Sequence, residues 1–85
     1  MMKHILTLAM TLGLTISALA APKKVVMIAG PQSHGPLSHE HRAGIMLLAK
    51  CLKEGAADLV TPTVVTNGFP KDTSVFNGAD AVVIY

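Results

Sequence analysis

Histidines crowd one short segment of this chain. Three of the four histidines lie within eight residues, at His34, His39 and His41. Imidazoles bind zinc, copper, nickel or iron, and they also act as general acids and bases. Glu40 is a candidate general base beside them, although a glutamate in a first helical turn more often only compensates the helix dipole. We therefore predict catalytic side chains at His34, His39, Glu40 and His41.

The spacing of the histidines bears on whether they share a metal ion. If His39 and His41 both lie in a helix, their side chains point about 200° apart and cannot hold one ion. A shared site requires His39 to precede the helix, and His34 with one of the other two is the favoured pair. A divalent metal held by His34, His39 and His41 is therefore a less favoured prediction, with a further ligand needed from elsewhere.

Polar residues around the histidines suit a ligand that carries hydroxyl groups or negative charge. A helix N-terminus beside an arginine attracts anions, and Arg42 follows the histidine cluster directly. The alternative is that these side chains only cap a helix and hydrogen-bond within their loop, and that Asn67 with Gly68 forms a turn that needs a positive φ. The predicted substrate-binding residues are Ser33, Gly35, Arg42 and Asn67.

A strand–helix–strand pattern must position these residues. Residues 24–29 are a continuous apolar run, typical of a parallel strand that is buried on both faces. Residues 63–66 predict a second strand, which could begin before Pro62 because proline is tolerated at a sheet edge or a strand start. Residues 72–76 predict a short helical turn, and residues 81–85 a third buried strand.

A helix is predicted between the first two strands, from about residue 39 to residue 54. Ser38 is its expected N-cap, and Gly55 its expected end. Apolar residues cover most of its girth, which indicates a helix that packs on a sheet. Gly44 should allow close approach to that sheet, and Cys51 should be a core residue, since a free cysteine packs as a small hydrophobe.

The fold class that follows is α/β with a doubly wound parallel sheet. Alternating strands and helices produce this architecture, and its ligand crevice lies beyond the carboxyl ends of the strands. Residues 21–85 supply only a β-α-β-α-β portion, so we expect the N-terminal part of a larger domain, interrupted in its third strand. Because no G-x-G-x-x-G or Walker loop follows the first strand, no nucleotide cofactor is expected.

The first twenty residues have the features of a secretory signal peptide. Lys3 precedes an apolar run, and small residues then form an A-x-A motif that ends at Ala20. We expect cleavage after Ala20, a periplasmic or secreted product, and no membrane association after cleavage. The formal net charge is +2, and no basic patch indicates nucleic acid as a partner. The single cysteine excludes an internal disulfide.

Several motifs together resemble the ThuA-like (trehalose utilisation) family. They are KKVVMIAG followed by SHG, then HEHRAG, TNGFPKD and GADAVVIY. The resemblance implies a flavodoxin-like fold related to class I glutamine amidotransferases, and a link to sugar metabolism without a defined reaction. It also implies that the crevice is lined by His34, Gly35, His39, Glu40, His41 and Arg42.

The sequence therefore predicts an exported ThuA-like domain that acts on, or binds, a carbohydrate or sugar derivative. Two alternatives stay open. One is a non-catalytic module that binds a sugar or a protein. The other is a fragment that has no independent activity.

Overall fold

The computed structural model describes residues 20–85, which form three strands, one α-helix and one short 3₁₀ helix. The signal peptide predicted for residues 1–20 therefore falls almost entirely outside the described residues. The elements, in chain order, are β1 (Lys23–Ile28), α1 (His41–Gly55), β2 (Val60–Val65), the 3₁₀ helix (Thr73–Phe76) and β3 (Ala81–Ile84). Within residues 20–85, no helix has the length and apolar character needed to cross a membrane.

The strands form one parallel sheet in the order β2-β1-β3. Met27 of β1 aligns with Val64 on one side and with Val83 on the other. The α/β class with a parallel sheet is thus confirmed, and the arrangement is consistent with part of a flavodoxin-like fold. Pro62 lies in β2, an outer strand of this sheet, where a missing amide donor is tolerated.

The core lies between β1 and α1. The buried apolar residues are Val26, Met27, Ile28, Ala29, Ile45 and Ala49. Four of them form one cluster in which two β1-segment residues, Met27 and Ala29, meet Ile45 and Ala49 of the helix. The apolar run predicted for the first strand is therefore buried because that strand is central in the sheet.

The helix begins two residues later than the sequence pattern predicts. His39 has a φ of 49°, a left-handed conformation that cannot continue into an α-helix. Glu40, not Ser38, occupies the N-cap position, and its side chain makes no capping hydrogen bond to the helix. The Glu40 carboxylate instead accepts the Leu37 N–H at 2.8 Å, so its role is to close the preceding loop.

Several residues outside the central strand β1 that were predicted to be buried are exposed. The residues of β3 are exposed, although a buried third strand was expected. Cys51 is exposed and does not belong to the core, and Leu47 is 63% exposed. The physical reason is that α1 packs on β2 and β1, while no described element covers β3.

The predicted turns are confirmed. Asn67 and Gly68 have φ values of 70° and 92°, as expected for the turn after β2. The short helical turn is the 3₁₀ helix, and Asp72 precedes it as the N-cap, with its carboxylate accepting the Ser74 N–H at 3.0 Å. That hydrogen bond lowers the pKa of the Asp72 carboxyl from its ordinary value, because it stabilises the ionised form.

Candidate ligand-binding crevice

A crevice of about 410 Å³ opens beyond the carboxyl ends of β1 and β2. The backbone builds it by tying the two strand ends together: the Ala29 N–H donates to the Val65 carbonyl at 2.9 Å, and the Gly68 N–H donates to the Ala29 carbonyl at 2.8 Å. The start of α1 closes another side. The lining residues are Gln32, His39, Glu40, His41, Arg42, Thr66 and Asn67.

Five of these lining residues belong to the predicted site, and two were missed. His39, Glu40, His41, Arg42 and Asn67 all face the crevice. Gln32 and Thr66 were not predicted, although each lies within a few residues of a strand's carboxyl end, which is the signal that could have identified them. Gly35 is not a lining residue, and its carbonyl accepts the Ser38 N–H at 3.1 Å within the loop.

The structure brings the three clustered imidazoles together. The rings of His34 and His39 are stacked, with centroids 4.1 Å apart and planes inclined by 24°. The rings of His39 and His41 have centroids 6.1 Å apart. His39 precedes the helix, which is the condition that a shared histidine site required. Among residues 20–85, however, no group of three or more His, Cys, Asp or Glu side chains is arranged to hold a metal ion.

Ser33 connects two of the imidazoles. Its hydroxyl oxygen lies 2.9 Å from His34 Nδ1 and 3.3 Å from His41 Nε2. A hydroxyl has one proton to donate and also accepts, so Ser33 can donate to one ring while accepting from the other. Ser33 and His34 are both exposed, and they lie next to the lining residues Gln32 and His41.

His41 is the least exposed of these histidines, and Tyr85 holds its ring. The two rings meet edge to face with centroids 5.1 Å apart. The carbonyl of Tyr85 accepts the Gly30 N–H at 2.8 Å, which fixes the end of β3 beside the loop after β1. His41 Nδ1 is buried and has no hydrogen-bond partner among the described residues. Tyr85 was not predicted as a site residue, although its place at the end of a parallel strand was available from the sequence.

The side chains that line the crevice are polar or charged. Side-chain amides of Gln32 and Asn67 can both donate and accept, the Arg42 guanidinium only donates, and the Glu40 carboxylate accepts. One Glu40 oxygen is engaged with the Leu37 N–H, so the carboxylate is held in place at the crevice wall.

Comparisons with models of known protein families, with curated proteins and with solved structures found no match. The fold and the crevice together define the class of protein as a parallel α/β protein with a polar crevice at the carboxyl edge of its sheet. Any more specific function has to be argued from the residues of that site.

Proposed function

We propose that this chain is part of an exported ThuA-like domain whose crevice binds a carbohydrate or sugar derivative. The observation that carries the proposal is the set of polar groups at the carboxyl ends of β1 and β2, which surround about 410 Å³ of space. Ligand sites of small molecules commonly measure roughly 300–1,000 Å³. The crevice is therefore large enough for a monosaccharide unit.

The lining favours a ligand that is rich in hydroxyl groups. Sugar hydroxyls donate and accept hydrogen bonds, and the amides of Gln32 and Asn67 match both functions. Small-molecule sites are usually lined mainly by apolar side chains, whereas the described lining contains no aliphatic residue. An apolar ligand would leave these polar groups without partners, which is unfavourable.

The motif resemblance supports the same ligand class. The HEHRAG motif, which resembles the ThuA-like family, supplies four of the seven lining residues, His39 to Arg42, and the SHG motif precedes it in the loop after β1. The imidazoles of His34, His39 and His41 would then provide polar contacts or acid–base groups to a bound sugar.

A titration of the full chain followed by amide NMR tests the proposal. Glucose and trehalose are added separately, with cyclohexanol as the control ligand of similar size but with a single hydroxyl. We expect saturable shifts of the amides at 32, 39–42 and 66–67 with at least one sugar, and none that saturate with cyclohexanol.

The variant Asn67→Gly sharpens this test. Glycine tolerates the positive φ of Asn67, so the turn keeps its backbone while the amide side chain is lost. Sugar affinity should fall at least tenfold, whereas the control Lys50→Gln, on an exposed part of α1, should leave it unchanged. Absence of saturable shifts with the native chain, or equal affinity in native protein and Asn67→Gly, would contradict the proposal.

Export is part of the proposal and has its own test. The N-terminus of the protein recovered from the periplasm or medium should begin at Ala21, because cleavage is expected after Ala20. The variant Leu8→Arg places a charge in the apolar run and should leave the protein in the cytoplasm. Recovery of the exported chain with residues 1–20 still attached would contradict a cleaved signal.

A further inference from the structure

The geometry points to Ser33 as a nucleophile for acyl transfer, with His34 as its general base and His41 as a hydrogen-bond donor to its oxygen. This inference rests on the proposed function, because it takes the substrate to be a carboxylic ester of a hydroxyl-rich alcohol such as an O-acylated sugar. Its physical basis is that one exposed serine hydroxyl lies within hydrogen-bond distance of two imidazole nitrogens.

The burial of His41 assigns the direction of the hydrogen bonds. His41 Nδ1 is buried without a partner among the described residues, and a proton placed on it would be a buried donor with no acceptor, whereas a proton on Nε2 has the Ser33 oxygen as its acceptor. The ring proton of the neutral imidazole therefore belongs on Nε2, which faces Ser33 Oγ at 3.3 Å. The Ser33 oxygen accepts the hydrogen bond from His41 Nε2–H, and the Ser33 hydroxyl donates its own hydrogen bond to His34 Nδ1 at 2.9 Å.

Both imidazoles are held by aromatic contacts. His34 stacks on His39, and His41 meets the edge of Tyr85. A base that is held within about 2.6–3.2 Å of the proton it removes satisfies the geometric requirement for general base catalysis. A serine with such a base, oriented by a further group, is the arrangement by which weakly nucleophilic hydroxyls are activated.

The reaction follows from these contacts. Ser33 Oγ attacks the carbonyl carbon of the ester, and its proton passes to His34 Nδ1. The bond from that carbon to the alcohol oxygen breaks, and the alcohol leaves with the proton that His34 returns to it. Water then attacks the acyl-serine with the help of the same nitrogen, which releases a carboxylic acid and restores the Ser33 hydroxyl.

Covalent labelling of the full chain with a fluorophosphonate tests the assignment. The probe forms a phosphonyl-serine with loss of fluoride, and peptide mass spectrometry locates it. We expect the adduct at Ser33, at least tenfold slower labelling in His34→Ala, a smaller reduction in His41→Ala, and unchanged labelling in the loop control Ser38→Ala. A folded chain that labels at several serines equally, or not at Ser33, would overturn the assignment.

The variant Ser33→Cys provides an internal control, because Cys51 is an exposed thiol in the same chain. Imidazoles that activate the hydroxyl should also favour the thiolate, so iodoacetamide should modify position 33 at least tenfold faster than Cys51. Equal rates at the two positions would contradict activation of residue 33.

Acetate release from O-acetylated glucose, followed by NMR, tests the substrate class. It should be lost in Ser33→Ala and kept in Ser38→Ala. A native chain that binds free sugar but is not labelled at Ser33 would overturn the nucleophile assignment alone and leave the proposed sugar binding in place. Absence of acetate release from the native chain that does bind sugar would overturn the ester substrate.

Discussion

Replacing Gly44 by alanine should stabilise the fold. Gly44 lies in the first turns of α1, and a Cβ built there would approach the Tyr85 ring carbons at 3.4, 3.6 and 3.8 Å. These are ordinary van der Waals distances to a side chain that is 54% exposed and can adjust. The sequence pattern predicted that Gly44 permits close packing on the sheet, whereas the nearest group is an adaptable aromatic ring.

The expected gain in the free energy of unfolding of Gly44→Ala is the sum of a helix-propensity contribution and a van der Waals contribution. Alanine is favoured over glycine in a helix by about 0.8–1.0 kcal/mol in the interior, and by less near its first turn. Three carbon contacts add about 0.1–0.2 kcal/mol each. The sum is about 1 kcal/mol, which corresponds to a rise in Tm of roughly 4–8 °C for a domain of this size.

Thermal unfolding of the full chain, followed by circular dichroism at 222 nm, measures this effect. The matched control is Gly55→Ala at the last residue of α1, where a Cβ meets no atom within 4 Å. Its Tm should rise by less than half as much, because a helix end gains little from propensity. A lower Tm for Gly44→Ala than for the native chain would refute the reasoning and show that the helix requires glycine there.

Three further perturbations have expected outcomes. Gly30→Ala should lower the Tm, because its Cβ would lie 3.3 Å from the backbone carbonyl oxygen of Tyr85, which cannot move independently of β3; an unchanged Tm would contradict this. In urea unfolding, Ile45→Ala should lower the free energy of unfolding by about 2–5 kcal/mol and Ile45→Val by about 0.5–1.5 kcal/mol, since Ile45 is fully buried. Equal losses of stability in the two variants would argue against a packed core at this position. An NMR titration of the Asp72 carboxyl should give a pKa below its ordinary value, since the Ser74 N–H stabilises the anion. The resulting contribution to the free energy of unfolding is present above the unfolded pKa and is lost as the pH falls through the lowered pKa of the native protein. An ordinary pKa for Asp72 in the native protein would contradict this prediction.

Local features of the sequence predicted most of the backbone correctly. The apolar run around Met27, the Asn67–Gly68 turn and the short helix after Asp72 all depend on neighbouring residues, so their patterns are visible in the chain. The strand–helix alternation also determined the parallel α/β class and, with it, the edge of the sheet at which a crevice should form.

The start of the helix was not predictable in the same way. Ser38 and Glu40 both have the residue types of a helix N-terminus, but His39 adopts a positive φ, and Glu40 hydrogen-bonds the Leu37 amide instead. Competing local hydrogen bonds of this kind have similar energies, so the sequence alone did not decide between them.

Only the tertiary structure decided which groups meet at the site and which apolar residues are buried. The contact of Tyr85 with His41 joins residues that are far apart in the chain, and the Ser33 hydroxyl lies between two imidazoles because the loop after β1 folds back on the start of α1. Hydrophobic patterning indicates that a residue favours burial but not whether another element covers it, which is why Cys51 and β3 are exposed despite their apolar surroundings in the sequence. The sequence by itself thus determined the fold class and the location of the candidate site, and the packing of distant segments determined its chemistry.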